Sequence, residues 1–250
     1  MLTQERYESI LEMLHERGRI KISEIRDELD VSESTARRDI CALDECGKLI
    51  KVFGGAVPNE MKYLSKEQTV EQKKTLNRDK KSCVGRYAAS FVGEGDFVYI
   101  DAGTTTESML HFLLGKKAVF VTNAVGHAMI LARAGEKVYL TGGSLKAATE
   151  ALVGPQTIES LKEYNFAVGF FGTNGITEQE GFTTPDSEEA YVKKIAMKKT
   201  QKPFVLCDAS KFGKVSSVTF ASVDAAVILT DDAPDFYQEW ENVRCTEKDA

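Results

Sequence analysis

Two sets of residues in this 250-residue chain carry chemistry by type and spacing. Ser32, Ser34, Thr35, Arg37 and Arg38 crowd into one short stretch, and Lys48 and Lys51 follow closely. Hydroxyls and guanidinium groups at that density donate hydrogen bonds to phosphate oxygens and base edges. The second set is Asp101-Ala102-Gly103-Thr104-Thr105-Thr106, Thr122-Asn123, Thr141-Gly142-Gly143-Ser144 and Gly172-Thr173-Asn174-Gly175. Glycine lets backbone amides approach an anion closely, and threonine hydroxyls add donors without charge, so these segments offer anion capture. Asp101, Asn123, Asn174, Glu189 and Lys211 could add polyol recognition; as caps, turn residues and a solvated lysine they would serve structure alone.

The first set needs a helix to present it. Tyr7, Ile10, Leu11 and Leu14 recur at the spacing that lines one side of a helix, and Gly18 stops it. A second helix carries Ile22, Ile25 and Leu29; after Val31, Ser32 is a good N-cap, and a third helix opens at Glu33. There Ala36, Ile40 and Leu43 can seal a core, which leaves Ser34, Arg37, Arg38 and Cys41 on another face. Gly47 is expected to end this helix, and Leu49 to Phe53, Gly54-Gly55 and Ala56-Val57 form a small hairpin. Residues 1–57 are therefore expected to be a winged helix-turn-helix domain that binds DNA. Alternatively, the arginines solvate a surface or pair with Asp39 and Asp44. Acids outnumber bases over residues 1–56, so affinity for DNA must come from a local patch of Arg37, Arg38, Lys48 and Lys51 with the amides at Ser32.

The second set needs strand ends. Apolar runs at 97–101, 118–122, 137–141, 166–171, 203–207 and 225–230 alternate with helical patterns at 105–114, 124–134, 151–163 and 187–200. Near-continuous apolar strands linked by crossover helices predict a mostly parallel, doubly wound sheet, so residues 82–250 are expected to be an α/β domain. Ligands in such sheets bind beyond the carboxyl ends of the strands, where each glycine-bearing segment falls. Residues 58–81, rich in lysine, glutamate and glutamine, are expected to be a solvated linker and helix start.

Composition narrows the class. A net charge of −6 disfavours indiscriminate coating of DNA. No apolar run is long enough to span a bilayer and MLTQERYESI lacks a signal-peptide core, so a cytoplasmic protein without membrane contact is expected. Cys41, Cys46, Cys83, Cys207 and Cys245 form no CxxC pair and no cluster with His15, His111 or His127, so neither metal nor cofactor nor disulfide framework is expected.

The stretch SESTARRDICALDECGKLIKVFGGAV resembles the signature of the DeoR family of bacterial transcription regulators: a serine, a threonine, Arg-Arg-Asp and a Gly-Gly-Ala wing. Ser32, Thr35, Arg37, Arg38, Asp39, Gly54, Gly55 and Ala56 meet it, with Ile40 and Phe53 where leucine and histidine are commoner. Farther on, DAGTTT, Thr122-Asn123, GGSL, GTNGIT, SEEA and DASKFG occur in the order of DeoR-type sensor domains. The resemblance covers nearly the whole chain. It implies a sensor fold similar to ribose-5-phosphate isomerase, a phosphorylated sugar or polyol as effector, and Asp101, Gly103, Thr104, Thr105, Thr106, Thr122, Asn123, Gly142, Gly143, Gly172, Asn174, Gly175, Glu189 and Lys211 around it. Likeness to fructose-operon repressors points to fructose 1-phosphate first, with tagatose, glycerol or deoxyribose phosphates behind it.

Two functions compete. One is a repressor of a sugar uptake or catabolic operon, bound to double-stranded operator DNA as a homodimer or homotetramer and released by the effector. The other is a sugar-phosphate isomerase or deaminase with an accessory DNA-binding-like domain. Proton transfer between adjacent carbons needs a carboxylate base and a paired acid. No DGADE-like segment is present, and His111 and His127 fall at helical positions, which favours the regulator.

Overall fold

The computed structural model describes residues 3–45, 48–58, 62–63, 69–238 and 240–246; Cys46, Gly47 and Lys66 lie outside them. Two compact units divide the chain, Met1–Lys62 and Tyr63–Ala250.

The first unit contains α1 (Thr3–Arg17), β1 (Ile20–Lys21), α2 (Ile22–Leu29), α3 (Glu33–Glu45), β2 (Leu49–Val52) and β3 (Gly55–Pro58). Asp30 closes α2 in the left-handed conformation, which turns the chain sharply toward α3. Ser32 then accepts the Thr35 N–H on its hydroxyl at 3.1 Å, capping α3 as its residue type predicts. Ile10, Leu14, Ile25, Ala36, Ile40 and Leu43 meet in one core, so the expected apolar stripes of all three helices face each other. β2 and β3 form the wing, and β1 joins it as a third antiparallel strand in the order β1-β3-β2. With two residues, β1 is too short to show any periodicity in sequence.

The second unit is built on a seven-stranded sheet, parallel throughout. Its first strand, Phe97–Ile100, lies between Val119–Thr122 and Phe166–Gly172. The sheet continues on one side to Lys137–Leu140 and on the other to Thr200–Cys207, Val227–Thr230 and Val243–Cys245. The chain thus builds outward from the first strand, returns, and builds the other way, leaving a crevice between the carboxyl ends of the first and fourth strands. Side chains alternate across the sheet. Tyr99, Val121, Phe171, Val205 and Ile228 pack in one core with the helices Pro155–Lys162 and Ser187–Lys198. Val98, Ile100, Phe120, Phe170, Leu206 and Leu229 pack in the other, with Arg78–Ser90.

Several boundaries differ from expectation. Ala151–Val153 is a strand paired with Ser144–Lys146, and the helix begins only at Pro155, after Gly154 turns with φ 92°. The pattern at 105–114 resolves into two short helices, Thr104–Glu107 and Leu110–Leu113. Gly175–Thr177, Gly181–Thr184 and Val218–Ala221 form a side sheet that the sequence pattern did not announce. Within the segment expected as linker, Val70–Thr75 is a helix with no buried residue. Val70 N–H donates to Ala148 O at 3.1 Å, and Lys74 pairs with Glu107 at 3.0 Å. No helix of the described residues is long and apolar enough to cross a membrane.

Candidate functional site

In the first unit α3 presents Ser34, Arg37 and Arg38 to solvent, with Cys41 half-buried beside them. The hydroxyl of Ser32 lies 2.8 Å from those of both Ser34 and Thr35, so the three cluster at the helix start. Arg37 is steadied by Glu33 one turn earlier, at 2.6 Å. From β2, Lys51 donates through its ammonium to Cys41 Sγ at 3.1 Å, which brings the wing's cation against the α3 surface; Lys48 stands exposed just before the strand. The alternative pairing is corrected: neither arginine engages Asp39 or Asp44. Asp39 is fully buried against Arg6 of α1, and Asp44 accepts the Lys51 N–H at 2.9 Å.

In the second unit a cavity of about 320 Å³ opens at the crevice. Of the expected effector residues, Gly103, Thr104, Thr105, Gly172, Asn174, Glu189 and Lys211 line it. The first turn of Thr104–Glu107 leaves backbone N–H groups without helical acceptors there.

The remaining expected residues stand behind the lining. Asp101 is buried beneath it, accepting the Gly172 N–H at 3.0 Å and the Lys193 ammonium. Thr106 donates its hydroxyl to the Asp101 and Gly103 carbonyls at 2.7 and 2.8 Å. Asn123 accepts from Tyr99 and the Ala102 N–H and donates to Leu152 O, and Thr122 accepts the Ala124 N–H. The Gly142 carbonyl takes the Thr157 hydroxyl at 2.5 Å. Gly143 has φ 126°, and a Cβ there would fall 2.1 Å from Thr157 Oγ1. A Cβ on Gly175 would fall 2.2 Å from Lys214 O, so this glycine admits a strand. These residues shape the loops rather than touch the cavity.

Sequence reasoning missed most of the cations. Lys73, Asn77 and Lys81, from the segment expected as linker and helix start, line the cavity, as do Lys193, Asp208 and Lys214. One signal was available: Glu189 and Lys193 are four apart on one helix and so share a face. Lys81 is 6% exposed, and its ammonium donates to the Lys73 carbonyl and to no carboxylate among the described residues. Burial pushes its pKa below the ordinary lysine value. Burial pushes the Asp101 carboxyl up, against the pull of Lys193 and the Gly172 N–H. Asp208 resists its own burial through hydrogen bonds from Ser210 and the nearby Lys211 charge, which hold its carboxyl below the usual range. His127, buried under the same loops, is pushed down to about 4 by desolvation, which outweighs its bond to the Gly103 backbone. Among the described residues no cluster suits a metal ion.

Residues 6–62 match the DeoR-like helix-turn-helix domain, and residues 76–233 match the DeoR C terminal sensor domain. The two units are thus those of a helix-turn-helix transcriptional regulator with a sensor domain, and not those of an enzyme. The chain is 40% identical over 244 residues to the HTH-type transcriptional regulator FruR of Bacillus subtilis, covering 96% of each chain. It is 35% identical to the HTH-type transcriptional regulator GlpR of Haloferax volcanii, over 90% of this chain and 88% of that one. Identity to the lactose phosphotransferase system repressor of Staphylococcus epidermidis is 31%, over 91% of each. The chain belongs to the DeoR family. Among solved structures it is similar to ribose 5 phosphate isomerase A from Neisseria gonorrhoeae, with TM-score 0.41 and 20% identity over 55% of this chain and 54% of that one.

Proposed function

We propose that this regulator works in the cytoplasm as a homodimer or homotetramer, binds double-stranded operator DNA of a sugar uptake or catabolic operon, and is released by a phosphorylated sugar, with fructose 1-phosphate the first candidate. Ser32, Ser34, Thr35, Arg37, Arg38, Lys48 and Lys51 would make the DNA contacts, bases being read by α3 and phosphates held at the wing and the α3 start. One observation supports the effector reading: Lys81, a buried ammonium at a cavity that donates to a carbonyl and to no carboxylate among the described residues. An ammonium has three donors, and leaving it desolvated without an anion is costly, so a bound phosphate is its natural complement. Lys211, the amides at Thr104 and Thr105, and the Thr105 hydroxyl would share the phosphate; Asn174 and Glu189 would bind sugar hydroxyls.

Release requires the effector to favour the DNA-free arrangement, with a coupling of about 1–3 kcal/mol that acts equally in both directions. An operator titration at fixed salt tests this, because salt alone shifts such affinities strongly. Fructose 1-phosphate should lower operator affinity several-fold and fructose should not. Lys211→Ala should bind the operator but lose the response. If no compound in a broad panel of sugar phosphates moved the curve, the effector reading would fall while DNA binding stood.

A further inference from the structure

The cavity lining is unevenly charged. In one part, Lys81 lies within electrostatic reach of Lys73 and Lys211 and of two carboxylates that have other partners: Asp208 accepts the Ser210 N–H at 3.0 Å, and Glu107 pairs with Lys74. In another part the balance is reversed. The Lys193 charge is answered by Asp101, and Glu189 stands four residues away on the same helix. Glu189 Oε1 accepts the Thr149 hydroxyl at 2.6 Å and the Lys146 ammonium at 3.1 Å, an ammonium shared with Asp186. Its Oε2 accepts from no described residue, although Glu189 is 9% exposed and lines the cavity.

A carboxylate held in place through one oxygen by two protein donors leaves its other oxygen calling for a donor, and a sugar hydroxyl is one. A second phosphate offers only acceptors and negative charge. We infer, resting on the effector reading above, that the site takes a sugar with a single phosphate: the Lys81 and Lys211 part holds the phosphate, and Glu189 accepts a hydroxyl remote from it and excludes a second phosphate. Glu189 is thus the residue that separates monophosphates from bisphosphates.

Calorimetric titration of the full chain with fructose 1-phosphate and with fructose 1,6-bisphosphate tests the inference. The wild-type protein should bind the bisphosphate about tenfold or more weakly than the monophosphate, the loss expected where like charges meet and a charged hydrogen bond goes unmade. Glu189→Gln, which keeps size and one acceptor, should shrink that ratio below about threefold by strengthening the bisphosphate and weakening the monophosphate. Preference of the wild type for the bisphosphate would overturn the inference, as would an unchanged ratio in a folded Glu189→Gln. The wild-type ratio stands as a test even if the variant fails to fold. Inorganic phosphate separates the two levels: if it and both sugars fail to bind, the effector reading falls together with this inference, whereas monophosphate binding with no discrimination sinks the inference alone.

Discussion

Arg6 of α1 and Asp39 of α3 form a buried, two-pronged ion pair, with Arg6 Nε and Nη2 donating to the two carboxylate oxygens. The Arg37-Arg38-Asp39 run is therefore split: two residues face solvent and the third fastens α3 to α1. Asp39→Ala leaves a guanidinium buried without its anion, so it should cost about 3 kcal/mol in denaturant unfolding of the winged-helix unit. Arg6→Met added to Asp39→Ala should recover most of that loss. A stability loss below about 1 kcal/mol for the single variant would mean the pair is dispensable.

Arg38 is exposed, whereas Arg37 is paired to Glu33, so the two should respond differently. Arg38→Ala should weaken operator binding about ten- to hundredfold and relax preference at one base, if it reads a base edge. Arg37→Ala should weaken binding less, because its partner Glu33 competes with the DNA. Gel shifts on matched and mutated operators distinguish base reading from phosphate contact; equal, unchanged affinity in both variants would remove α3 from the DNA interface.

Gly103 and Gly143, both expected near the effector, should separate in a thermal melt. Gly143→Ala forces a Cβ into Thr157 and the Val153 carbonyl at a φ that suits glycine, so the melting temperature should fall markedly. Gly103 has extended backbone, and a Cβ there meets only the Thr106 hydroxyl, at 3.3 Å. Gly103→Ala should keep its melting temperature and change ligand affinity alone.

His127 should make the sensor unit acid-sensitive. Its pKa falls from 6.5 to about 4 on burial, so between those values the unfolded chain binds more protons than the folded one. Stability should therefore be unaffected by His127 above about pH 6.5 and decline by up to about 3 kcal/mol as pH falls toward 4. Denaturant titrations at several pH values, with His127→Gln alongside, measure this; an equally steep acid loss in the variant would place the sensitivity in other groups.

Much of the architecture was legible because it rests on long periodic signals. The stripes of Ile10, Ile25 and Ile40, and the apolar runs at Val98, Phe120, Phe170 and Val205, each mark an element whose burial decides its form. What escaped was short or set by tertiary contact. Ile20–Lys21 and Val243–Cys245 are strands because a neighbour offers them an edge. The cavity was half legible. Glycine-threonine turns at strand ends announce its floor, but Lys81 sits in a charge-rich run whose composition is that of a solvated connector. Only the packing of Arg78–Ser90 against the sheet tells a buried lysine from an exposed one.

Asp101 directly follows the first strand of the sheet's chain order and Gly172 ends the fourth, so the Asp101 side chain, accepting the Gly172 N–H, clasps the two sides of the crevice at its base. The base is consequently the stiff part of the sensor, and a ligand cannot signal by prising these strands apart without first rupturing that clasp and the Lys193 pair. Compliance is expected in Val70–Thr75, which buries no residue and is tied down by the Val70 bond to Ala148 and the Lys74 pair with Glu107. An occupant leaning on Lys73 would act on a thinly anchored piece of the wall, which in covalent order is also the first helix after the wing among the described residues.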